Sequence, residues 1–142
     1  MVTVRDLLAK KPSVVVTTTP HATVYDALAL MARHDIGGLP VLANGHLVGV
    51  FSERDYARGV VLRGRTSRET AVGELMTRPV VVGASDSIQH CMGLMTHHRV
   101  RHLPVVERGG LVGIVTIGDV VKEVIRDQAM VIGELQNYIR GT

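Results

Sequence analysis

Arg101-His-Leu-Pro-Val-Val-Glu-Arg-Gly-Gly-Leu-Val-Gly-Ile-Val-Thr-Ile-Gly-Asp119 decides how this chain reads. Two apolar runs, 103–106 and 111–115, flank the pair Gly109-Gly110, the pattern of a β-hairpin closed by a tight turn. The second run ends in Thr116-Ile-Gly-Asp119, after which Val120, Val121, Val124 and Ile125 recur at helical spacing. A strand therefore passes straight into a helix, with a hydroxyl and a carboxylate at the junction.

The same phrase stands 64 residues upstream, from Gly37 to Asp55. Leu39, Pro40, Val41, Gly45, Leu47, Val48, Gly49 and Asp55 match Leu103, Pro104, Val105, Gly109, Leu111, Val112, Gly113 and Asp119, and Ser52 stands opposite Thr116. The preceding helices agree as well: Val24, Ala27, Leu28 and Met31 answer Ile88, Cys91, Met92 and Met95. Two copies in 142 residues predict one module of two pseudo-equivalent halves, each too small to bury a good core alone.

Outward from the hairpins, the chain divides into a first repeat over 3–63, a polar linker over 64–70, a second repeat over 71–126 and a helical tail over 128–142. Thr3 caps a short helix over 3–9 that stops before Pro12. Val14-Val15-Val16 reads as a strand, and Thr23 caps a helix over about 24–34. The hairpin 38–52 and a helix over about 53–63 complete the repeat. The second repeat has the same order, with Val80-Val81-Val82 as its extra strand and a last helix over about 118–126. The expected class is α+β, with a small three-stranded sheet and flanking helices in each repeat. In the tail, Ile132, Leu135 and Ile139 fall on one face, which packs as a cap or faces another subunit.

A hydrophobic share of 46% with 20% charged residues describes a globular chain. The single cysteine, Cys91, lies on an apolar helix face; it reads as a small buried hydrophobe in a reducing compartment. A net charge of +3 and an aromatic share of 3% speak against a nucleic-acid binder. No apolar run reaches the ~18 residues of a membrane span and no signal peptide opens the chain, so a cytoplasmic protein is expected. His90, His97, His98 and His102 lack the spacing of a tetrahedral metal site, and no metal is expected. Arg63, Arg65 and Arg68 read as a solvated linker. No nucleophile–base pair stands out, which argues against an enzyme.

Ser52-x-x-Asp55 and Thr116-x-x-Asp119 each have two readings. A hydroxyl followed three residues later by an acid is a helix capping box. The same geometry also suits a ligand: a helix N-terminus attracts phosphate, and a carboxylate one turn in can accept from the vicinal hydroxyls of a ribose. The two roles are compatible, because capping would hold the site rigid before a ligand arrives.

The doubled leucine-proline-valine, glycine-flanked strand and hydroxyl-x-x-aspartate resemble a tandem pair of cystathionine-β-synthase (CBS) domains, a Bateman module, over residues 3–126. Ser52-Glu-Arg-Asp-Tyr-Ala-Arg58, the linker 63–70 and Thr116-Ile-Gly-Asp-Val-Val121 are similar to stand-alone single-pair proteins of bacteria and plant organelles. The resemblance implies two clefts between the repeats that bind AMP, ATP, NAD or S-adenosylmethionine. It also implies dimerisation of pairs into a disc and a regulatory rather than catalytic role, which a partner protein would read out. The alternative is a protein- or nucleic-acid-interaction module without nucleotide sensing.

Carried over by position, one cleft would use Val50, Ser52, Arg54 and Asp55 with Thr77, Val80, Val100, Arg101 and His102. There Asp55 would hold the ribose, Ser52 and Arg54 would reach phosphate, and Val80 with the backbone of 100–102 would pack on the base. The other would use Ile114, Thr116, Gly118 and Asp119 with Lys10, Ser13, Val14, Ile36, Gly37 and Gly38. The first repeat departs from the pattern where Ala9-Lys10-Lys11-Pro12 replaces Met76-Thr77-Arg78-Pro79, losing a hydroxyl. Arg54 and Gly118 are equivalent positions, so the clefts should be inequivalent, with the more highly charged phosphate beside Asp55.

Overall fold

The computed structural model describes residues 1–140. The first repeat contributes helices α1 (Val4–Leu8) and α2 (Val24–His34), strands β1 (Gly38–Ala43) and β2 (His46–Ser52), and helix α3 (Glu53–Tyr56), which runs into a π-helical turn over Ala57–Val61. The second contributes α4 (Val72–Leu75), α5 (Ile88–His98), β3 (His102–Glu107), β4 (Gly110–Thr116) and α6 (Ile117–Ile139). This is the α+β repeat that the doubled phrase predicts.

Each hairpin turns on two residues of positive φ: Asn44 and Gly45 at 51° and 78°, Arg108 and Gly109 at 52° and 79°. Both central residues in the left-handed region make a type I′ turn, whose twist matches that of paired strands. The second turn is thus Arg108-Gly109, one residue earlier than the Gly109-Gly110 expected, and Gly110 already pairs with Glu107. Both ladders shift register at the same place, between Val41 and Leu42 and between Val105 and Val106.

The expected third strands do not form; each sheet has two strands. The flanking segments instead make single parallel bridges, Thr18 to Val41 and Val82 to Val105. Thr18 donates to the Pro40 carbonyl at 3.0 Å and accepts from the Leu42 amide at 2.9 Å; Val82 does the same with Pro104 and Val106. The next rung would need an N–H from Pro40 or Pro104, and proline has none. One rung is all the ladder can offer.

The cores are exchanged between repeats. Val4 and Leu7 of α1 are buried with Val82, Ile88, Cys91, Met95, Leu103, Val105, Val115 and Val120 of the second repeat. Val72 of α4 is buried with Val24, Ala27, Met31, Leu39, Val41, Phe51 and Val60 of the first. The backbone follows: Val4 donates to the Asp86 carbonyl and Val72 to that of Ala22, both at 2.9 Å. Each repeat thus completes its partner's core, and the clefts between them have fixed walls. Cys91 is fully buried there, as its apolar helix face predicts.

The C-terminal helices need correction. Residues 118–126 and 128–140 are not separate helices but one helix, α6, running from Ile117 to Ile139. No glycine, proline or cap interrupts it at 127, so the backbone bonds simply continue. Thr142 and Gly141 lie outside the described residues. The linker arginines are exposed, as expected, and two of them have partners: Arg65 pairs with Glu74 at 2.6 Å, and the Arg68 guanidinium lies 3.8 Å above the Tyr25 ring.

Candidate functional site

The site grows out of the end of β2. Phe51 points into the core, fully buried, so alternation turns Val50 and Ser52 towards the groove between repeats. At Ser52 the strand becomes α3, and the capping box closes. The Ser52 amide and hydroxyl donate to Asp55 Oδ2 at 2.9 and 3.0 Å, and the Asp55 amide donates back to Ser52 Oγ at 3.3 Å. Both side-chain bonds fall on one carboxylate oxygen. Among the described residues none bonds the other, Oδ1.

The opposite wall comes from the start of the second repeat. Thr77 pairs with Val50 as an isolated antiparallel bridge, with amide–carbonyl bonds of 3.0 and 2.9 Å. The segment Val100–His102, between α5 and β3, closes the third side. A cavity of about 1190 Å³ results, just above the roughly 300–1,000 Å³ usual for small-molecule sites. Val50, Ser52, Arg54, Asp55, Thr77, Val80, Val100, Arg101 and His102 all line it. The nine residues assigned to this cleft are brought together.

Sequence reasoning missed the charge of this cavity. Arg58, Arg78 and Arg99 line it beside Arg54 and Arg101. The signals were there: Arg58 lies four residues after Arg54, Arg78 follows Thr77, and Arg99 is two before Arg101. Arg54 does not hang free but donates to the Arg99 carbonyl at 2.9 Å, across the groove. Burial pushes the Asp55 carboxyl above its ordinary range, against the Ser52 hydrogen bonds and the charges of Arg54 and Arg58, which lower it. A half-buried acid facing five guanidinium groups suits a ligand that presents hydroxyls to the acid and phosphate to the arginines.

The second cleft is built differently. Gly37, at the rim where α2 hands over to β1, also lines the Asp55 cavity. Val14 is 78% exposed. Pro12 and Thr18 are six residues apart where Pro79 and Val82 are three, and the extra loop carries Ser13 and Val14 into solvent. Val16, not Val14, packs at the edge of the core as Val80 does in the other repeat. Lys10 is paired with the buried Glu123 at 2.9 Å. Gly118 leaves open space, with only Thr116 Oγ within 4 Å of an added methyl at 3.6 Å. Ile36 is half-buried against the first core. Thr116 and Asp119 form the second capping box: the Thr116 amide donates to Asp119 Oδ2 at 2.9 Å.

His102 stands between the two clefts. Its pseudo-equivalent is Gly38, and its ring lies against that glycine: a methyl at Gly38 would come within 2.8 Å of His102 Cδ2. Gly38→Ala should therefore cost about 1–3 kcal/mol, typical of overpacking. His102→Ala in the same chain should restore much of that loss, because the two sites touch. Paired chemical denaturation of the single and double variants checks both.

Burial, then the charges of Lys11 and Arg101, hold the His102 imidazole below its ordinary range, with Asp119 opposing them. The unfolded chain therefore takes up this proton first as pH falls through about 6.5. The His102 contribution to stability is complete above that pH and is lost below it. His102→Asn should lose less melting temperature than the native chain between about pH 7.5 and 5.5, read by differential scanning fluorimetry.

Among the described residues no group of three His, Cys, Asp or Glu is placed to hold a metal ion. No helix among them is long and apolar enough to cross a membrane.

Comparison with known proteins agrees with this architecture. The CBS domain profile matches residues 4–61 and 72–126. The mitochondrial CBS domain-containing protein CBSX3 of Arabidopsis thaliana is 39% identical over 129 residues; the match covers 87% of this chain and 63% of that protein, so the chain spans under two thirds of it. A solved CBS-domain structure from Burkholderia ambifaria MC40-6 superposes with a TM-score of 0.84 at 47% identity, covering 89% of this chain and 96% of that one. The structure of Hypoxic Response Protein I, which holds two coordinated zinc ions, superposes at 0.73 with 33% identity and covers 85% of this chain and 98% of that one. With the doubled hairpin, the exchanged cores and two profile matches over most of its length, the chain belongs to the CBS domain family as a tandem pair.

Proposed function

We propose that this CBS pair is a regulatory module that senses an adenine nucleotide in the Asp55 cleft. The observation that carries the reading is the convergence in one cavity of a half-buried, pre-capped carboxylate with five arginines and the apolar Val50, Val80 and Val100. Asp55 receives the ribose hydroxyls, the arginines take the phosphates, and the valines pack on the base. AMP, ATP and NAD share that chemistry; S-adenosylmethionine has the adenosine without the phosphate. The basic lining favours the more highly charged members, and Arg54→Gly should weaken ATP more than AMP in calorimetric titration.

The role is regulatory and not catalytic: the solved structures similar to this chain include one described as a candidate signal-transduction protein with CBS domains. Binding can bias the arrangement of the repeats only through differential affinity for their states, and a partner protein reads the result. The chain self-associates in this reading. Val121, Ile125, Ile132, Leu135 and Ile139 leave an exposed apolar stripe along α6, which a second copy would cover.

A thermal-shift panel of AMP, ADP, ATP, NAD, NADH and S-adenosylmethionine tests the reading. A ligand at ~100 times its dissociation constant should add about 2.7 kcal/mol of stability. No shift from any member, with binding to an immobilised protein partner intact, would favour an interaction module without nucleotide sensing.

A further inference from the structure

Among the isolated bridges the pseudo-two-fold that relates the repeats is broken at one place, and the break lies in the Asp119 cleft. Thr3 bridges Ser87 as Ala71 bridges Thr23, and Thr18 bridges Val41 as Val82 bridges Val105. The bridge from Val50 to Thr77 has no counterpart among the described residues; it would join Ile114 to Lys10. A side chain takes its place. Lys11 Nζ donates to the Ile114 carbonyl at 2.7 Å and to Asp119 Oδ2 at 2.8 Å. In the other cleft, the equivalent carbonyl of Val50 is taken by Thr77, and Asp55 Oδ2 is bonded by Ser52 alone.

We propose that Lys11 is an internal occupant of the Asp119 cleft, so that the chain binds one nucleotide, beside Asp55, and not two. The inference rests on the nucleotide reading of the clefts. The ammonium sits between the strand carbonyl and the carboxylate, the groups equivalent to the Val50 carbonyl and Asp55 in the other cleft. Lys11 and Asp119 are 27% and 20% exposed, so solvent screens the pair poorly. A neutral ribose hydroxyl is a weaker partner for the carboxylate than an ammonium already in place. Lys10 is held to Glu123 at 2.9 Å, which anchors the same segment over the cleft.

Isothermal titration of ATP, and of AMP in parallel, into the native chain and Lys11→Ala tests this. Lys11→Ser serves as the second variant, and a thermal melt confirms that each is folded. One nucleotide per native chain and two per Lys11→Ala chain are expected, with Asp119→Asn in the Lys11→Ala background returning the count to one. Two per native chain would overturn the inference, as would a count in both Lys11 variants that stays at one. If the native chain binds none and Lys11→Ala binds one that Asp119→Asn removes, the internal occupant stands and the Asp55 reading falls. No binding by any of the chains would sink both.

Discussion

Phe51→Ala lowers the free energy of unfolding by about 3–5 kcal/mol, the range for truncating a large buried aromatic. Phe51 is the largest fully buried side chain and the only Phe in the chain. It packs with Leu39, Val41, Met31 and Val72, so its loss opens a cavity where β1, β2, α2 and the exchanged helix α4 meet. Such a loss is a large share of the roughly 5–15 kcal/mol that holds a typical domain together. Chemical denaturation at fixed protein concentration should show a lower midpoint with an unchanged slope. Val131→Ala, on the exposed part of α6, should stay within about 0.5 kcal/mol of the native chain. A comparable loss there would mean that α6 is covered in solution.

Asp55→Asn should weaken ATP binding by at least about 2 kcal/mol, roughly thirtyfold in Kd, because hydrogen bonds to a charged group contribute about 1.5–3 kcal/mol each. The amide keeps the shape but not the charge. The unliganded protein behaves in the opposite sense. Burial raises the Asp55 pKa, so the ionised carboxylate is less favourable folded than unfolded. Its contribution to stability is present at acid pH and is lost as pH rises through the raised folded value. At neutral pH the Asn variant should therefore melt no lower than the native chain. Affinity follows the ionised form, so ATP binding should weaken as pH falls through that value, above the ordinary carboxylate range. Calorimetry across pH with melts of both unliganded proteins separates the two effects; a variant that loses stability and keeps affinity would make Asp55 a cap and nothing more.

Much of this fold was legible because its signals are local and repeated. The Asn44-Gly45 turn, the Ser52 and Thr116 caps and the apolar faces of α2 and α5 each follow from residues a few positions apart. What escaped depends on distant partners. The third strands failed because Pro40 and Pro104 cannot donate a second rung, a fact about the neighbouring strand. The exchange of α1 and α4 between cores leaves no mark on their own sequence, which reads as a short amphipathic helix in either place. In the site, the nine residues around Asp55 line one cavity because the repeat fixes both walls. Around Asp119, the three extra residues between Pro12 and Thr18 leave Val14 exposed, and the contact of Lys11 with Asp119 has no counterpart in the other cleft. Charged side chains long enough to choose among several carbonyls and carboxylates are settled by packing, and packing is what spacing does not encode.

The most direct measurement is a crystal structure of the chain grown with ATP. The adenosine should lie between the repeats beside Val50 and Val80, with a ribose hydroxyl about 2.5–3.0 Å from the Asp55 carboxylate and phosphate against Arg54 and its neighbours. A nucleotide bound elsewhere, with Asp55 bonded only to Ser52, would contradict the account.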